Sequence, residues 1–138
     1  MSESKILLWK DREKGVVDPF LFSTKAEDLA KKISDENKQS KGQKSNKRTQ
    51  IRKFYDEVIR LDMDAKSRKD EWANITPLVH MITAKAAYAN GRDKLVSDSF
   101  LTFIRDAVNQ IQEPKDLSVF ANFFEAFMGF YRLHGPKN

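Results

Sequence analysis

Seven side chains of this 138-residue chain have the types and spacing to grip a polyanion. Lys47, Arg48, Arg52 and Lys53 form one run, and Lys85, Tyr88 and Arg92 form another. Lysine and arginine make charge-assisted hydrogen bonds to phosphate, and a tyrosine among them offers a flat face to a ribose or base. Arg52, Lys53, Lys85 and Arg92 are the first candidates for phosphate contacts, with Lys47, Arg48 and Tyr88 next to them.

Helices must position both runs. In TQIRKFYDEVIRL, residues 49–61, Ile51, Phe54, Tyr55, Val58, Ile59 and Leu61 fall on one broad apolar face at helical period. Thr49 is the expected N-cap. Arg48 and Arg52 fall at the edge of that face beside Tyr55, while Lys53 and Arg60 point away. A surface helix whose arginine stems merely cover apolar neighbours would look the same. The second run lies in a helix expected over 76–91, with Thr76 as N-cap, Pro77 at the first helical position and Gly91 just past the end. Val79, Ile82, Ala86 and Ala89 make its core face. Met81, Lys85, Tyr88 and Arg92 make a flanking stripe, in which Met81 and Tyr88 could equally be core. If the two helices pack through their apolar faces, the Arg52 and Arg92 margins could meet as one cationic track.

The rest of the chain supplies the body. Residues 24–34 read as a helix with a Thr24–Glu27 capping box. Residues 97–112 and 117–134 carry phenylalanine-rich stripes, Phe100 to Ile111 and Phe120 to Tyr131, separated at Pro114. A short turn should set them antiparallel. Phe130 lies off its stripe and could face a partner subunit. No strand pattern occurs. The fold class is therefore all-α, a single domain with a bundle of about five helices. Residues 1–22 hold two apolar patches, 6–9 and 16–22, and Pro19 argues against a helix through the second. They read as an arm that packs loosely on the body or a partner, or as a tail that closes the core.

Between the first two helices, residues 37–48 contain no apolar residue and no acid. Such a segment has nothing to bury and is expected to be a mobile basic linker that orders on phosphate. From Lys31 to Lys69 there are 13 Lys/Arg against 6 Asp/Glu, while the remainder carries 12 against 14. A positive segment on a nearly neutral body points to a nucleic acid or an acidic protein surface.

Other chemistry has little support. There is no cysteine, hence no disulfide or thiolate site. No signal peptide core or bilayer-length apolar run is visible, so a cytoplasmic location with no membrane contact is expected. His80 and His134 stand far apart, each without a neighbour of catalytic type. Asp62 and Asp64 fall in the charged stretch DMDAKSRKDEW, read as a solvated turn rather than a metal site. No nucleotide-binding, hydrolase or metalloprotease motif is present, and no cofactor is expected. A small RNA-processing enzyme is thereby disfavoured. A helical scaffold whose basic loop docks an acidic protein stays open.

Three stretches together resemble one family. TQIRKFYDEV at 49–58, AKAAYANGR at 84–92 and FFEAFMGFYRLHG at 123–135 are similar, in this order and spacing, to the small subunit of the type III-A CRISPR effector, the Csm complex. The resemblance runs from Lys47 to Gly135 and draws nothing from the first forty residues. It departs from the family at Lys47–Arg48, where a threonine or serine is common, and at Asn90, often a lysine. The resemblance implies a non-catalytic subunit of an antiviral ribonucleoprotein. Its partners would be guide RNA and target RNA, the backbone and large subunits, and further copies of itself stacked along the groove where the two RNAs pair.

Overall fold

The computed structural model describes residues 5–138. Among them are five α-helices and no strand: α1 Ala26–Gln39, α2 Arg48–Ser67, α3 Trp72–Gly91, α4 Asp98–Asn109 and α5 Pro114–His134. Helices α1 and α2 pack on α5, α3 packs on α4, and α2 also packs on α3. The expected all-α bundle is what the chain forms.

The phenylalanine stripes make its centre. Phe103 of α4 meets Phe120, Phe123, Phe124 and Phe127 of α5, with ring centroids 5.6–6.1 Å apart. Burial of such rings, with their edge-to-face contacts, is the largest favourable term available to a domain of this size. At the end of α5 Tyr131 is fully buried and its hydroxyl donates to the Asn46 carbonyl at 2.6 Å. Burial pushes its phenol well above the ordinary tyrosine range, against the pull of Arg48. Gly135 follows because the chain closes back on this ring: a Cβ there would lie 2.6 Å from the Tyr131 carbonyl oxygen.

Several element ends differ from expectation. Thr24 caps nothing; it lies in a π-helical turn, Leu21–Lys25, that leads into α1. Asp18 starts that turn instead, its carboxylate accepting from Phe20 N–H at 2.7 Å, with Pro19 at a position where no N–H is needed. Glu27 is thereby free to meet His134, 2.8 Å from its Nε2, so His134 has an acidic partner after all. Helix α2 runs two turns beyond Leu61. Asp62, read as part of a solvated turn, is buried because Ser118 Oγ donates to it at 2.6 Å and Lys66 pairs with it at 3.1 Å. Helix α3 starts before Thr76, with half-buried Trp72 donating its indole N–H to Gln112 O at 3.2 Å. Pro77 is therefore inside the helix, on its exposed side. Pro114 does not merely end α4 but opens α5. Phe130 is half-buried against the core, and Leu133 is the outward apolar residue of α5.

The N-terminal arm closes the core rather than lying loosely. Leu8 is fully buried, and Gln110 clasps the arm by accepting from Leu8 N–H at 2.8 Å and donating to Ile6 O at 2.7 Å. Asp116, fully buried, accepts from the Trp9 indole and the Arg12 guanidinium, both at 2.8 Å. Its second oxygen accepts from Gln112 and Glu113 N–H at 2.8 and 3.1 Å, capping α5.

The segment between α1 and α2 also buries more than its composition allowed. Lys38, in the last turn of α1, and Lys41 and Lys44 of the connection are exposed, but Asn37 of α1 and Ser45 and Asn46 of the connection are buried. Asn46 N–H donates to Leu95 O at 2.9 Å, and its side chain donates to Ile33 O and Ser97 Oγ at 3.2 and 3.0 Å. It also accepts from Ser97 N–H at 2.8 Å. Polar residues enter a core when every donor and acceptor finds a partner, and composition alone does not reveal that.

Candidate nucleic-acid interface

Helices α2 and α3 meet with a groove of about 390 Å³ between them. Its walls bear Lys53, Lys85, Tyr88 and Arg92, four of the seven residues singled out above. Phe54, Ile82, Ala89 and Leu95 give it an apolar floor, and Gln50 and Glu57 complete it. Its geometry follows from local structure on both sides. On α2, Gln50, Lys53 and Glu57 recur at helical spacing along one edge of the apolar face. On α3, Lys85, Tyr88 and Arg92 do the same. Tyr88 is exposed, at 67%, and so is Met81, so neither is core.

Arg92 is placed by the turn that ends α3. Its N–H donates to Tyr88 O at 2.9 Å, and Leu95 N–H reaches back to Ala89 O at 3.0 Å. The left-handed backbone of this turn is carried by Asp93 and Lys94, with φ of 56° and 54°, and not by Gly91, which is the last residue of the helix. Asn90 ties the turn down by donating to Val96 O at 3.0 Å and Asp98 at 2.8 Å. Hydrogen bonds from Lys94 and then Asn90 hold the Asp98 carboxyl below the usual range.

Glu57 shapes the electrostatics of the groove. Its carboxylate accepts from Arg60 at 2.9 Å and from Lys85 at 3.2 Å, so it links α2 to α3. Burial would raise its pKa, but the hydrogen bonds from Arg60 and Lys85 outweigh burial and hold it below the usual carboxylate range. Among the described residues, neither Lys53 nor Arg92, which share the groove, has a carboxylate within ion-pair distance.

The other three candidates lie elsewhere. Lys47 is the half-buried N-cap residue of α2, its carbonyl accepting from Ile51 N–H at 3.0 Å. Arg48 is half-buried and donates to Arg132 O at 3.3 Å, at the last turn of α5. That places a cation at the negative end of a helix dipole. Arg52 is exposed and pairs with Asp56 at 3.8 Å. It lies on the opposite edge of α2 from the groove, beside Tyr55, whose ring contacts Phe124 of α5 at 5.5 Å. The Arg52 and Arg92 margins therefore do not meet; Lys53, which was expected to point away, is the α2 cation that joins Arg92. The sequence reading passed over Gln50, Glu57 and Leu95. The first two carry a legible signal, since they share the Lys53 edge of the helix.

Among the described residues no cluster of three or more metal-ligating side chains occurs, and no helix is long and apolar enough to cross a membrane. A family model described as Csm2 Type III-A matches residues 23–137, which take in all five helices and the groove and begin just after the arm. Neither curated proteins nor solved structures give a match. Since the matched residues make up most of the chain, it belongs to the Csm2 family, the small subunit of the type III-A CRISPR effector, the Csm complex.

Proposed function

We propose that this subunit binds RNA backbone through the α2–α3 groove, as a non-catalytic part of the Csm ribonucleoprotein. In the assembled effector several copies stand beside the guide RNA–target RNA duplex, next to the backbone and large subunits. One observation supports this above others: Lys53, Lys85, Tyr88 and Arg92 come from two distant runs and line one groove. Such contacts to phosphate carry affinity and register, while sequence is left to base pairing between guide and target.

Binding of the purified protein to RNA oligomers of unrelated sequence, over a series of salt concentrations, tests the proposal. Counterion release demands steep salt dependence without sequence preference. Lys53→Ala and Arg92→Ala should each weaken all oligomers alike and lower the salt slope by about one. Both side chains are exposed, so folding stability should change by no more than about 0.5 kcal/mol. Wild-type affinity and slope in both variants would end the proposal. Indifference to RNA together with tight binding to an acidic protein would favour a scaffold role instead.

A further inference from the structure

We infer that the groove takes one unpaired nucleotide of RNA, its base against Tyr88 and its phosphate between Lys53 and Arg92, rather than a length of duplex backbone. This rests on the reading that the groove binds RNA at all, and specifies what part of RNA enters it.

Size is the first argument. A volume of about 390 Å³ is near the low end of small-ligand sites, about 300–1,000 Å³. That suits a single nucleotide unit and not a double helix. Lining is the second. A duplex presents phosphates and ribose hydroxyls to a protein, and its bases stay stacked inside. A purely phosphate-binding surface needs cations and no apolar floor, yet Phe54 and Ile82 lie at the bottom of this groove. Tyr88 stands beside them with two-thirds of its surface free, 67% exposed, which is the arrangement that stacks an unpaired base.

The third argument is which charges in the groove are already paired. Glu57 and Lys85 are paired, 3.2 Å apart. A carboxylate there repels phosphate but accepts from a base's exocyclic amine, and the lysine ammonium donates to ring nitrogens or carbonyls. Lys53 and Arg92, which also line the groove and have no carboxylate partner among the described residues, are the cations left to attract phosphate. A nucleotide has one polar, uncharged base edge and one anionic end, and the groove has a place for each.

The test compares three labelled RNAs of equal strand length with the full chain: a single strand, the same strand with its bases removed, and a blunt duplex. Tyr88→Ala and Tyr88→Phe are measured beside the wild type, with melting curves as a check on folding. The intact strand should bind at least about fivefold tighter than the abasic strand. It should also bind tighter than the duplex, although the duplex carries more phosphate. Tyr88→Ala should erase the difference between intact and abasic strands, and Tyr88→Phe should keep it. Equal binding of intact and abasic strands by the wild type would overturn this inference and leave backbone binding standing. So would a Tyr88→Ala variant that weakens strand and duplex alike. Failure to bind any of the three RNAs would overturn both readings together.

Discussion

Asp116 shows how a single side chain can decide whether a segment belongs to the fold. A lone buried carboxylate would be costly, but this one meets two side-chain donors from the arm and two backbone N–H groups at the start of α5. Burial acts to raise its pKa, and the hydrogen bonds from Arg12, Gln112, Trp9 and Glu113 overcome that and hold it below the usual range. The sign of the pH effect follows. A depressed carboxylate contributes stability in full above its unfolded pKa of about 3.9, and that contribution is lost as pH falls through the lower folded value. Asp116→Asn should lower stability near neutral pH by about 2 kcal/mol in chemical denaturation. Part of the loss of stability below about pH 4 should vanish with it, because the neutral amide has no charge left to lose. An unchanged acid limb in the variant would mean other carboxylates set it. Arg48 makes the complementary case. Its guanidinium serves the end of α5, so Arg48→Ala should cost about 1 kcal/mol of stability and leave the salt slope of RNA binding as it was. A drop in slope by a full unit with unchanged melting would return Arg48 to the RNA-contacting set.

At the scale of elements, periodicity carried the reading where packing is apolar and failed where it is polar. Helices α4 and α5 were legible because their phenylalanines repeat at helical spacing and nothing polar interrupts them. The late end of α2 was hidden because Asp62 reads as solvent-facing until Ser118, more than fifty residues away, is seen to donate to it. The early start of α3 was hidden by a well-formed Thr–Pro start signal that the Trp72 anchor overrides. Within the basic linker, composition hid the two side chains that pack inward, Ser45 and Asn46. Asn46 has φ of 63°, in the left-handed region that asparagine tolerates better than most residues. From there it ties Ile33, Leu95 and Ser97 together and receives the Tyr131 hydroxyl. Asn46→Ala should remove three side-chain hydrogen bonds and place a less tolerant residue at that φ, costing about 3 kcal/mol. Hydrogen exchange should find the Asn46 amide protected in the free protein and the lysine-bearing turn before it fast. Fast exchange at Asn46 itself would mean that the whole linker opens as a unit.

For the whole molecule, the question is which edge of α2 faces α3. A helical wheel gives α2 two margins, Arg52 with Tyr55 on one and Gln50, Lys53 and Glu57 on the other, and composition favours neither. Long-range packing decides: Tyr55 is taken by Phe124 of α5, so the Lys53 margin is left to α3 and the groove forms there. Four of the seven candidate residues line this one groove, but the pairing across helices could not be read before α5 was in place. On the proposed RNA-binding role, the path of RNA is confined to one side of α2. Arg52→Ala should then leave both affinity and salt slope near wild type, in contrast to Lys53→Ala and Arg92→Ala. Glu57→Gln should act in the opposite direction. Removing its charge releases Lys85 and takes a negative group out of the groove, while the amide oxygen can still accept from a base amine, so affinity for RNA should rise and the salt slope should steepen by up to about one unit. Its stability cost should be small, since the pair it breaks is largely solvated on the lysine side, where Lys85 is 54% exposed. Equal losses of slope in Arg52→Ala and Arg92→Ala would show instead that RNA wraps over α2 and contacts both margins. A Glu57→Gln protein that binds RNA more weakly would show that the carboxylate is needed to hold Lys85 in position.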